Sequence, residues 1–264
     1  MGPAKFTLGI AINRNHPAHS ISLSQTTFID HIVECFGQTD AHPCNTPMVV
    51  GLQLHRPDLS IPPFSEVSAW MEHTPYCALV GSLNYVTVAT HPNIAFAIGQ
   101  LASFLECYQP EHWSAAIQVL WYLKGTRALC LTLRGIGSLR LLGYSNSDYT
   151  NCMDTSRSIG GYCFSLGSRA ISWSSKKQCV VADSSCYAEY VALHKASHET
   201  IFLCQLLEGL SFLPNRPTPL LCNNDTASRL TKDQTGHPSV KHIWVKFHSI
   251  HTLVEEESLR VTCV

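Results

Sequence analysis

The sequence predicts an α/β (α+β) protein in which a mainly helical region precedes a mixed sheet with flanking helices. Residues 76–89 and 94–105 place apolar side chains at i, i+3 and i+4, the spacing of one helix face. Residues 139–175 contain three short runs of β-type residues separated by Gly- and Ser-rich turns. Strand-like and helix-like patterns then alternate to the end of the sequence, which indicates helices packed on this sheet.

The composition is that of an ordinary globular protein. The chain has 264 residues, 45% of them hydrophobic and 14% charged, which is enough to bury a core. A net charge of −1 excludes attraction of nucleic acid through overall basicity. Residues 136–264 contain 12 of the 18 Lys and Arg residues, so any contact with nucleic acid is expected from local patches.

The twelve cysteines are scattered singly, without a CxxC pair or a zinc-type spacing. Several, such as Cys130 and Cys163, lie in apolar runs, which is typical of buried free thiols in a reducing compartment. The N-terminus shows no signal peptide, and the apolar run 76–90 is short and contains Asn84. We therefore predict a cytoplasmic or nuclear protein that does not contact a membrane.

The N-terminal region reads as a β-hairpin followed by a helix. Residues 5–12 and 20–24 are β-type runs on either side of a polar turn. Residues 25–36 have helical spacing and end at Gly37. Residues 38–70 contain five prolines and no periodicity, which predicts an extended surface linker.

The helical region consists of three predicted helices around one core. Pro92 separates the first two, because proline disfavours helix in the residue before it and starts a new helix well. The third follows Pro110 and stops at Gly125, with Trp113 and Leu120 on a shared apolar face. A strand is predicted at 128–133.

The second half has the predicted order β-β-β-α-β-α-α-β. Asp183, Ser184 and Ser185 offer N-cap chemistry for a helix that runs, with a break, to Leu210. The remaining predicted elements are strands at 139–145, 160–166, 170–175, 219–222 and 259–264, a short helix capped by Asn223 or Asn224, and a last helix at 240–256.

Five motifs occur in this half in a fixed order: GYSNSDYTN, ISWSSKKQ, SSCYAEYVALHKASHE, LLCNNDTAS and VKHIWVKFHSI. Together they resemble the ribonuclease H domain of Ty1/copia-type retrotransposon Pol polyproteins. Upstream, GPAKFTLGIAINR resembles the primer-gripping hairpin after the reverse-transcriptase catalytic motif, and YCALVGSLNYVTVATHPNIAFAIGQLASF resembles the helices that join polymerase to nuclease. The resemblance covers nearly the whole chain.

This resemblance implies four regions. They are a reverse-transcriptase remnant at 1–37, a Pro-rich linker at 38–74, a helical thumb or connection region at 75–135, and a ribonuclease H-like domain at 136–264, C-terminally truncated relative to the family. The chain contains no YxDD metal motif, so polymerase activity is not expected.

The resemblance also implies a magnesium site of four carboxylates that cleaves RNA in RNA·DNA hybrids. The first family carboxylate matches Asn146, the second Glu189 and the third Asn223, while the fourth follows the final strand, beyond Val264. Magnesium normally needs anionic oxygen ligands, and asparagine offers only a neutral carbonyl. We therefore expect impaired or lost cleavage, with magnesium as the ancestral cofactor and Glu189 as its remaining weak ligand.

Two nearby carboxylates offer an alternative catalytic set. Asp148 lies two residues beyond Asn146, and Asp225 two beyond Asn223, so each is a candidate to act with Glu189 in a displaced geometry. The other interpretation is that Asp148 is a turn residue and Asp225 a charge at a helix N-terminus.

Basic residues and histidines suggest where nucleic acid would bind. Lys176 and Lys177 are candidates for phosphate contacts, and Lys241, His242 and His248 match positions near the hybrid-binding edge of the family. A solvated turn and structurally satisfied histidines are the alternatives.

Three functional hypotheses follow. The first is a retrotransposon-derived Pol fragment with an impaired or inactive ribonuclease H-like domain. The second is an active nuclease that uses the displaced carboxylates. The third is a non-catalytic module that binds RNA·DNA hybrid or other nucleic acid, and a translated pseudogene without a role also stays open. Proteins of an intact element are candidate partners.

Overall fold

The computed structural model describes residues 2–57, 65–135, 139–212, 216–231 and 244–264. The chain forms two compact units, Met1–Arg134 and Gly135–Val264. Each unit contains its own sheet and its own hydrophobic cluster. The four-region division expected from the sequence is finer than this and stays a prediction.

The first unit combines a four-stranded antiparallel sheet with five helices. Its strands lie in the order β1-β2-β3-β4. Their bounds are β1 Phe6–Thr7, β2 Ile10–Asn15, β3 Ser20–Ser24 and β4 Leu131–Arg134. The helices are α1 Thr26–Cys35, α2 Ser65–His73, α3 Tyr76–Ala89, α4 Ala95–Leu101 and α5 Pro110–Thr126, with short 3-10 turns at Pro92–Ile94 and Ala102–Phe104.

The core of this unit is formed by the predicted helical stripes. Apolar residues of α1, α3, α4 and α5 pack into one cluster, in which Tyr76, Leu79 and Leu120 are fully buried. Tyr76 also donates its hydroxyl to the carbonyl of Leu101, 2.9 Å away, so its polar atom is satisfied inside the core.

Two expectations for the first unit were wrong in detail. The single strand at 5–12 is two strands, because Leu8 and Gly9 have φ angles of 48° and 76° and reverse the chain between them. Residues 65–73 form α2 rather than an extended linker. Residues 38–41 are fixed by the Lys124 ammonium group, which donates to the carbonyls of Gln38, Thr39 and Ala41 at 3.3, 2.5 and 2.7 Å.

The second unit contains a five-stranded mixed sheet in the order β7-β6-β5-β8-β9. Strands β5, β6 and β7 pair antiparallel, whereas β8 and β9 run parallel to β5. The bounds are β5 Leu141–Cys152, β6 Arg157–Leu166, β7 Arg169–Lys177, α6 Ser185–Gly209, β8 Thr218–Cys222, α7 Asp225–Leu230, α8 Trp244–Glu255 and β9 Leu259–Cys263. The predicted fold class, a ribonuclease H-like mixed sheet with flanking helices, is confirmed by this arrangement.

Helix α6 is the central helix of this unit. Ser184 caps it by accepting a hydrogen bond from the backbone N–H of Tyr187, as the sequence predicts. The helix is continuous over 25 residues, so the predicted break is wrong. Its buried residues Tyr190 and Leu193 pack against Leu141 of β5 in one cluster. This packing brings the middle of α6 against the first strand of the sheet.

Candidate functional site

The candidate site is built around Glu189, the acidic residue of the first part of α6. Its side chain is 5% exposed, and its Oε2 atom has no hydrogen-bond partner. Burial raises the pKa of the Glu189 carboxyl, and a hydrogen bond from the backbone N–H of Ser147 on β5 acts in the opposite direction. The structure therefore holds a carboxylate, as expected, between the first strand and the first helix of the domain.

The strand pairing explains why Ser147 is available to Glu189. Strands β5 and β8 pair in parallel through Gly143–Leu220 and Tyr144–Leu221, and β8 ends at Cys222. Beyond this point β5 continues with β6 on its other side only. A backbone N–H there needs another acceptor, and the Glu189 carboxylate supplies it.

Gln178 connects β5 to α6 beside this carboxylate. Its Nε2 donates to the Ser147 hydroxyl at 3.2 Å and to the Ala188 carbonyl at 2.9 Å. Gln178 is 1% exposed, so these contacts lie in the interior. The side chain fixes the strand next to the residue that precedes Glu189.

Cys222 lies close to the carboxylates at the end of β8. Burial raises the pKa of its thiol, a backbone hydrogen bond from Asn224 lowers it, and the negative charges of Cys263, Glu189 and Asp225 raise it again. The thiol is thus near both Glu189 and Asp225, and it stays protonated at neutral pH.

Asn146 and Asn223 each lie two residues beyond a paired position of β5 and β8. The last recorded pair is Tyr144–Leu221, and Asn223 follows the end of β8 at Cys222. Both residues are exposed. Alternation along β5 sets Asn146 on the face opposite Ser145 and Ser147. The positions that match the family pattern therefore both carry neutral amides.

Asp148 and Asp225 have other partners. Asp148 is exposed on β5 and accepts a hydrogen bond from the side-chain amide of Asn151. Asp225 is the first residue of α7 and forms an ion pair with Arg229 at 2.7 Å. Asp148 is thus a strand residue and not the expected turn residue, whereas Asp225 lies at the N-terminus of α7, as its alternative interpretation has it.

The side chains around Glu189 determine whether magnesium ions could bind at this site. Among the residues that the structure describes, no three His, Cys, Asp or Glu side chains come together as a metal site. Glu189 supplies one carboxylate, and the two asparagines supply no charge. These residues do not fit two-metal binding, which relies on several anionic oxygen ligands.

The basic candidates lie on separate elements. Lys176 is exposed near the end of β7, an edge strand. Lys177 is half-buried and hydrogen-bonds to Cys152. Burial acts to raise the pKa of the Cys152 thiol, but hydrogen bonds from Lys177 and Thr155 outweigh it and lower the pKa. His248 is exposed on α8, and Lys241 and His242 lie outside the described residues.

Sequence reasoning missed Gln178 and Cys222 as parts of this site. Gln178 ends the ISWSSKKQ motif, and Cys222 precedes Asn223 in LLCNNDTAS, so both positions fall within recognised motifs. Their roles depend on the packing of α6 on the sheet, which no local pattern encodes.

The mixed sheet, with a helix carboxylate set against its first strand, defines a ribonuclease H-like domain. The chain is 37% identical over 261 residues to the retrovirus-related Pol polyprotein from transposon TNT 1-94 of Nicotiana tabacum, covering 99% of this chain and 19% of that protein. It is 34% identical over 244 residues to the Pol polyprotein from transposon RE1 of Arabidopsis thaliana, covering 92% and 16%. The chain belongs to the family of retrovirus-related Pol polyproteins from copia-type retrotransposons.

A shorter relative is matched over most of its length. The uncharacterized mitochondrial protein AtMg00810 of Arabidopsis thaliana is 32% identical over 195 residues, covering 73% of this chain and 75% of that protein. By contrast, the chain spans less than a fifth of the length of the polyproteins from TNT 1-94 and RE1. No protein-family profile matches the sequence.

Solved ribonuclease H structures are also similar. The crystal structure of LC11-RNase H1 in complex with an RNA/DNA hybrid covers 47% of this chain and 83% of its own, with a TM-score of 0.34 and 16% identity. Within the described part of the chain, no helix has the length and hydrophobicity needed to cross a membrane.

Proposed function

We propose that the ribonuclease H-like domain of this Pol segment has lost most or all of its metal-dependent cleavage of RNA in RNA·DNA hybrids. The observation that carries the proposal is the isolation of Glu189. It is a buried carboxylate with one unpartnered oxygen, and among the described residues no three His, Cys, Asp or Glu side chains come together as a metal site. One carboxylate cannot hold two magnesium ions and also position a water molecule for attack.

A cleavage assay tests this proposal. A labelled RNA·DNA hybrid is incubated with the full chain and Mg²⁺, beside the Glu189→Gln variant. We expect equal, background-level cleavage from both proteins, because Glu189 alone does not assemble a metal site. Mg²⁺-dependent cleavage that disappears in Glu189→Gln would contradict the proposal and support the displaced set of Asp148, Glu189 and Asp225.

A restored variant supplies the complementary experiment. Asn146→Asp with Asn223→Asp returns two negative charges, one on β5 and one directly after β8, each two residues beyond the Tyr144–Leu221 pair. We expect this double variant to bind Mg²⁺ more tightly than the parent chain, measured by calorimetric titration. Asn151→Asp with Asn224→Asp is the matched control, since it adds the same charge at positions that the family pattern does not use.

A second proposed function is non-catalytic binding of RNA·DNA hybrid or other nucleic acid. It is favoured by strand β7, which contains Arg169, Lys176 and Lys177 but no acidic residue. Lys176 is a better phosphate contact than Lys177, because Lys176 is exposed whereas Lys177 is half-buried and hydrogen-bonds to Cys152. In this function the chain would act with nucleic acid, or with proteins of an intact element, in the cytoplasm or nucleus.

The salt dependence of binding tests this second function. The affinity for a short hybrid is measured at several salt concentrations for the parent chain and for Lys176→Gln. Losing one phosphate contact should reduce the slope of log K against log salt by about 1. Lys5→Gln, a charge change outside the domain, should leave the slope unchanged. If the slope of log K against log salt is the same in Lys176→Gln as in the parent chain, β7 does not contact the nucleic acid through Lys176.

A further inference from the structure

Helix α6 carries a pair of histidines that the nuclease ancestry does not use. His194 and His198 are four residues apart, so they lie one turn apart on the same face of the helix. Their Nε2 atoms are 3.3 Å apart, and their ring centroids are separated by 4.6 Å at an interplanar angle of 70°. His198 is exposed and His194 is half-buried, so solvent reaches the pair.

This separation matches the geometry of two ligands on one metal ion. Imidazole nitrogens bind Zn²⁺ at about 2.0–2.1 Å, usually with tetrahedral geometry. Two ligand atoms on a tetrahedral centre with such bonds are about 3.3–3.4 Å apart, as follows from the same bond length. The two Nε2 atoms therefore need little movement to share one ion.

The histidine pair is separate from the Glu189 site. An α-helix turns by about 100° per residue, so His194 and His198 point roughly 140° and 180° away from Glu189. Glu189 is directed into the domain against β5, whereas the pair lies on the outward side of α6. An ion bound by the histidines would not be an ion of the ancestral nuclease.

We propose that His194 and His198 form a binding site for a divalent transition-metal ion. Imidazole is a ligand of borderline ions such as Ni²⁺, Cu²⁺ and Zn²⁺, whereas Mg²⁺ prefers carboxylate and water oxygens. Two imidazole ligands therefore favour ions of the first class. Both rings bind as neutral imidazoles through Nε2, with the proton on Nδ1.

The test uses Ni²⁺ as the probe and the full chain at about pH 7.5, where an imidazole of ordinary pKa is mostly neutral. Histidine-ring NMR signals are followed during the titration, because paramagnetic Ni²⁺ broadens the signals of the residues that bind it. We expect the His194 and His198 signals to broaden together, at a lower Ni²⁺ concentration than His73 on α2. In His198→Gln, broadening of His194 should need at least about tenfold more Ni²⁺, given that even second-shell losses weaken metal sites 10–100-fold.

Three controls separate this site from other ligands. His73→Gln changes an exposed histidine elsewhere and should leave the response of His194 unaltered. Cys35→Ser removes the thiol that lies 3.4 Å from His31 Nε2, the nearest competing pair on α1, and should also leave it unaltered. Mg²⁺ should not shift either ring signal. Equal Ni²⁺ responses of the parent chain and His198→Gln, or simultaneous broadening of His73 and His194, would overturn the proposal, and neither outcome bears on the loss of cleavage.

Discussion

At the scale of single residues, the main feature is a buried acidic side chain. Glu189 is almost fully buried and keeps one carboxylate oxygen without a hydrogen bond. In a working metal site, bound cations would offset the cost of burying this charge. Here a single hydrogen bond from the Ser147 backbone partly offsets it, and the pKa of the carboxyl rises.

The raised pKa predicts a pH-dependent stability. A carboxyl whose folded-state pKa lies above its ordinary value of 4.5 binds its proton more tightly in the folded protein than in the unfolded chain. The free energy of unfolding should therefore fall as the pH rises through the window above 4.5. At pH 8, Glu189→Gln should be more stable than the parent chain by roughly 1 kcal/mol or more, because it removes an unpaired buried charge.

Urea unfolding at about pH 5 and pH 8 checks this prediction. The difference between the two proteins should shrink towards the lower pH, where the parent carboxyl gains its proton. Asp225→Asn is the control, since Asp225 is exposed and its pair with Arg229 lies on the surface; its effect should stay below about 1 kcal/mol. A parent chain as stable at pH 8 as Glu189→Gln would show that the carboxylate has unrecognised partners.

At the scale of secondary-structure elements, the close packing of β5 depends on a glycine. A Cβ atom at Gly143 would lie 2.5 Å from a ring carbon of Phe164 and 2.8 Å from a methyl carbon of Leu220. Those residues are its register partners on β6 and β8. The three strands beneath α6 therefore approach each other only because residue 143 has no side chain.

Gly143→Ala should destabilise the second unit by about 1–3 kcal/mol, the usual cost of overpacking a core. Chemical unfolding monitored by circular dichroism measures the change. Gly209→Ala, at the end of α6 in the same unit, is the matched control, because its Cβ would meet nothing within 4 Å. The control should be neutral or slightly stabilising, as expected for alanine in a helix. Equal effects of the two substitutions would mean that β5 shifts to admit the methyl group.

In the first unit, Lys124 at the end of α5 fixes the chain that follows α1. Its ammonium group donates to three backbone carbonyls within residues 38–41. Hydrogen bonds to a charged group contribute about 1.5–3 kcal/mol each before coupling among them is considered. Lys124→Met keeps the aliphatic stem and removes all three bonds, so we expect a loss of about 2 kcal/mol or more in the free energy of unfolding.

Hydrogen exchange of the amides in residues 38–44 provides the local measurement, and it should become faster in Lys124→Met. Arg127→Gln is the control, since it breaks an exposed ion pair with Asp30 on the same unit. Surface pairs contribute at most about 1 kcal/mol, so the control should change little. Unchanged hydrogen exchange in Lys124→Met would show that residues 38–44 are held in place by their apolar contacts alone.

At the scale of the whole molecule, each unit is complete in its own sheet and core. All strands of the mixed sheet fall between Leu141 and Cys263, and its hydrophobic cluster is drawn from the same range. A fragment of residues 139–264 should therefore fold in isolation and unfold in one cooperative transition. Calorimetry and far-ultraviolet circular dichroism of the fragment test this. A fragment without a cooperative transition, under conditions where the full chain has one, would show that the second unit needs the first.

The sequence predicted most elements because their signals are local. Helical spacing found α1, α3 and α5. The side chains alone predicted helix caps within Asp183–Ser185 and at Asn223 or Asn224, and the structure uses Ser184 and Asn224. The turn at Leu8 and Gly9 was missed because the flanking residues are β-type on both sides. The pairing of β4 with β3 was missed because it joins residues more than 100 positions apart.

The sequence by itself determined the family and the fold class, and it predicts which residues match the ligand positions of the family. Glu189, Asn146 and Asn223 are read from motifs, and their charges do not depend on conformation. Only the tertiary structure decided what surrounds them. Ser147, Gln178 and Cys222 come to Glu189 because β8 ends where β5 continues and because α6 packs on the sheet. The same packing leaves His194 and His198 on the outward side of α6, because burial arises from contacts between segments far apart in the chain, whereas their separation follows from one turn of the helix.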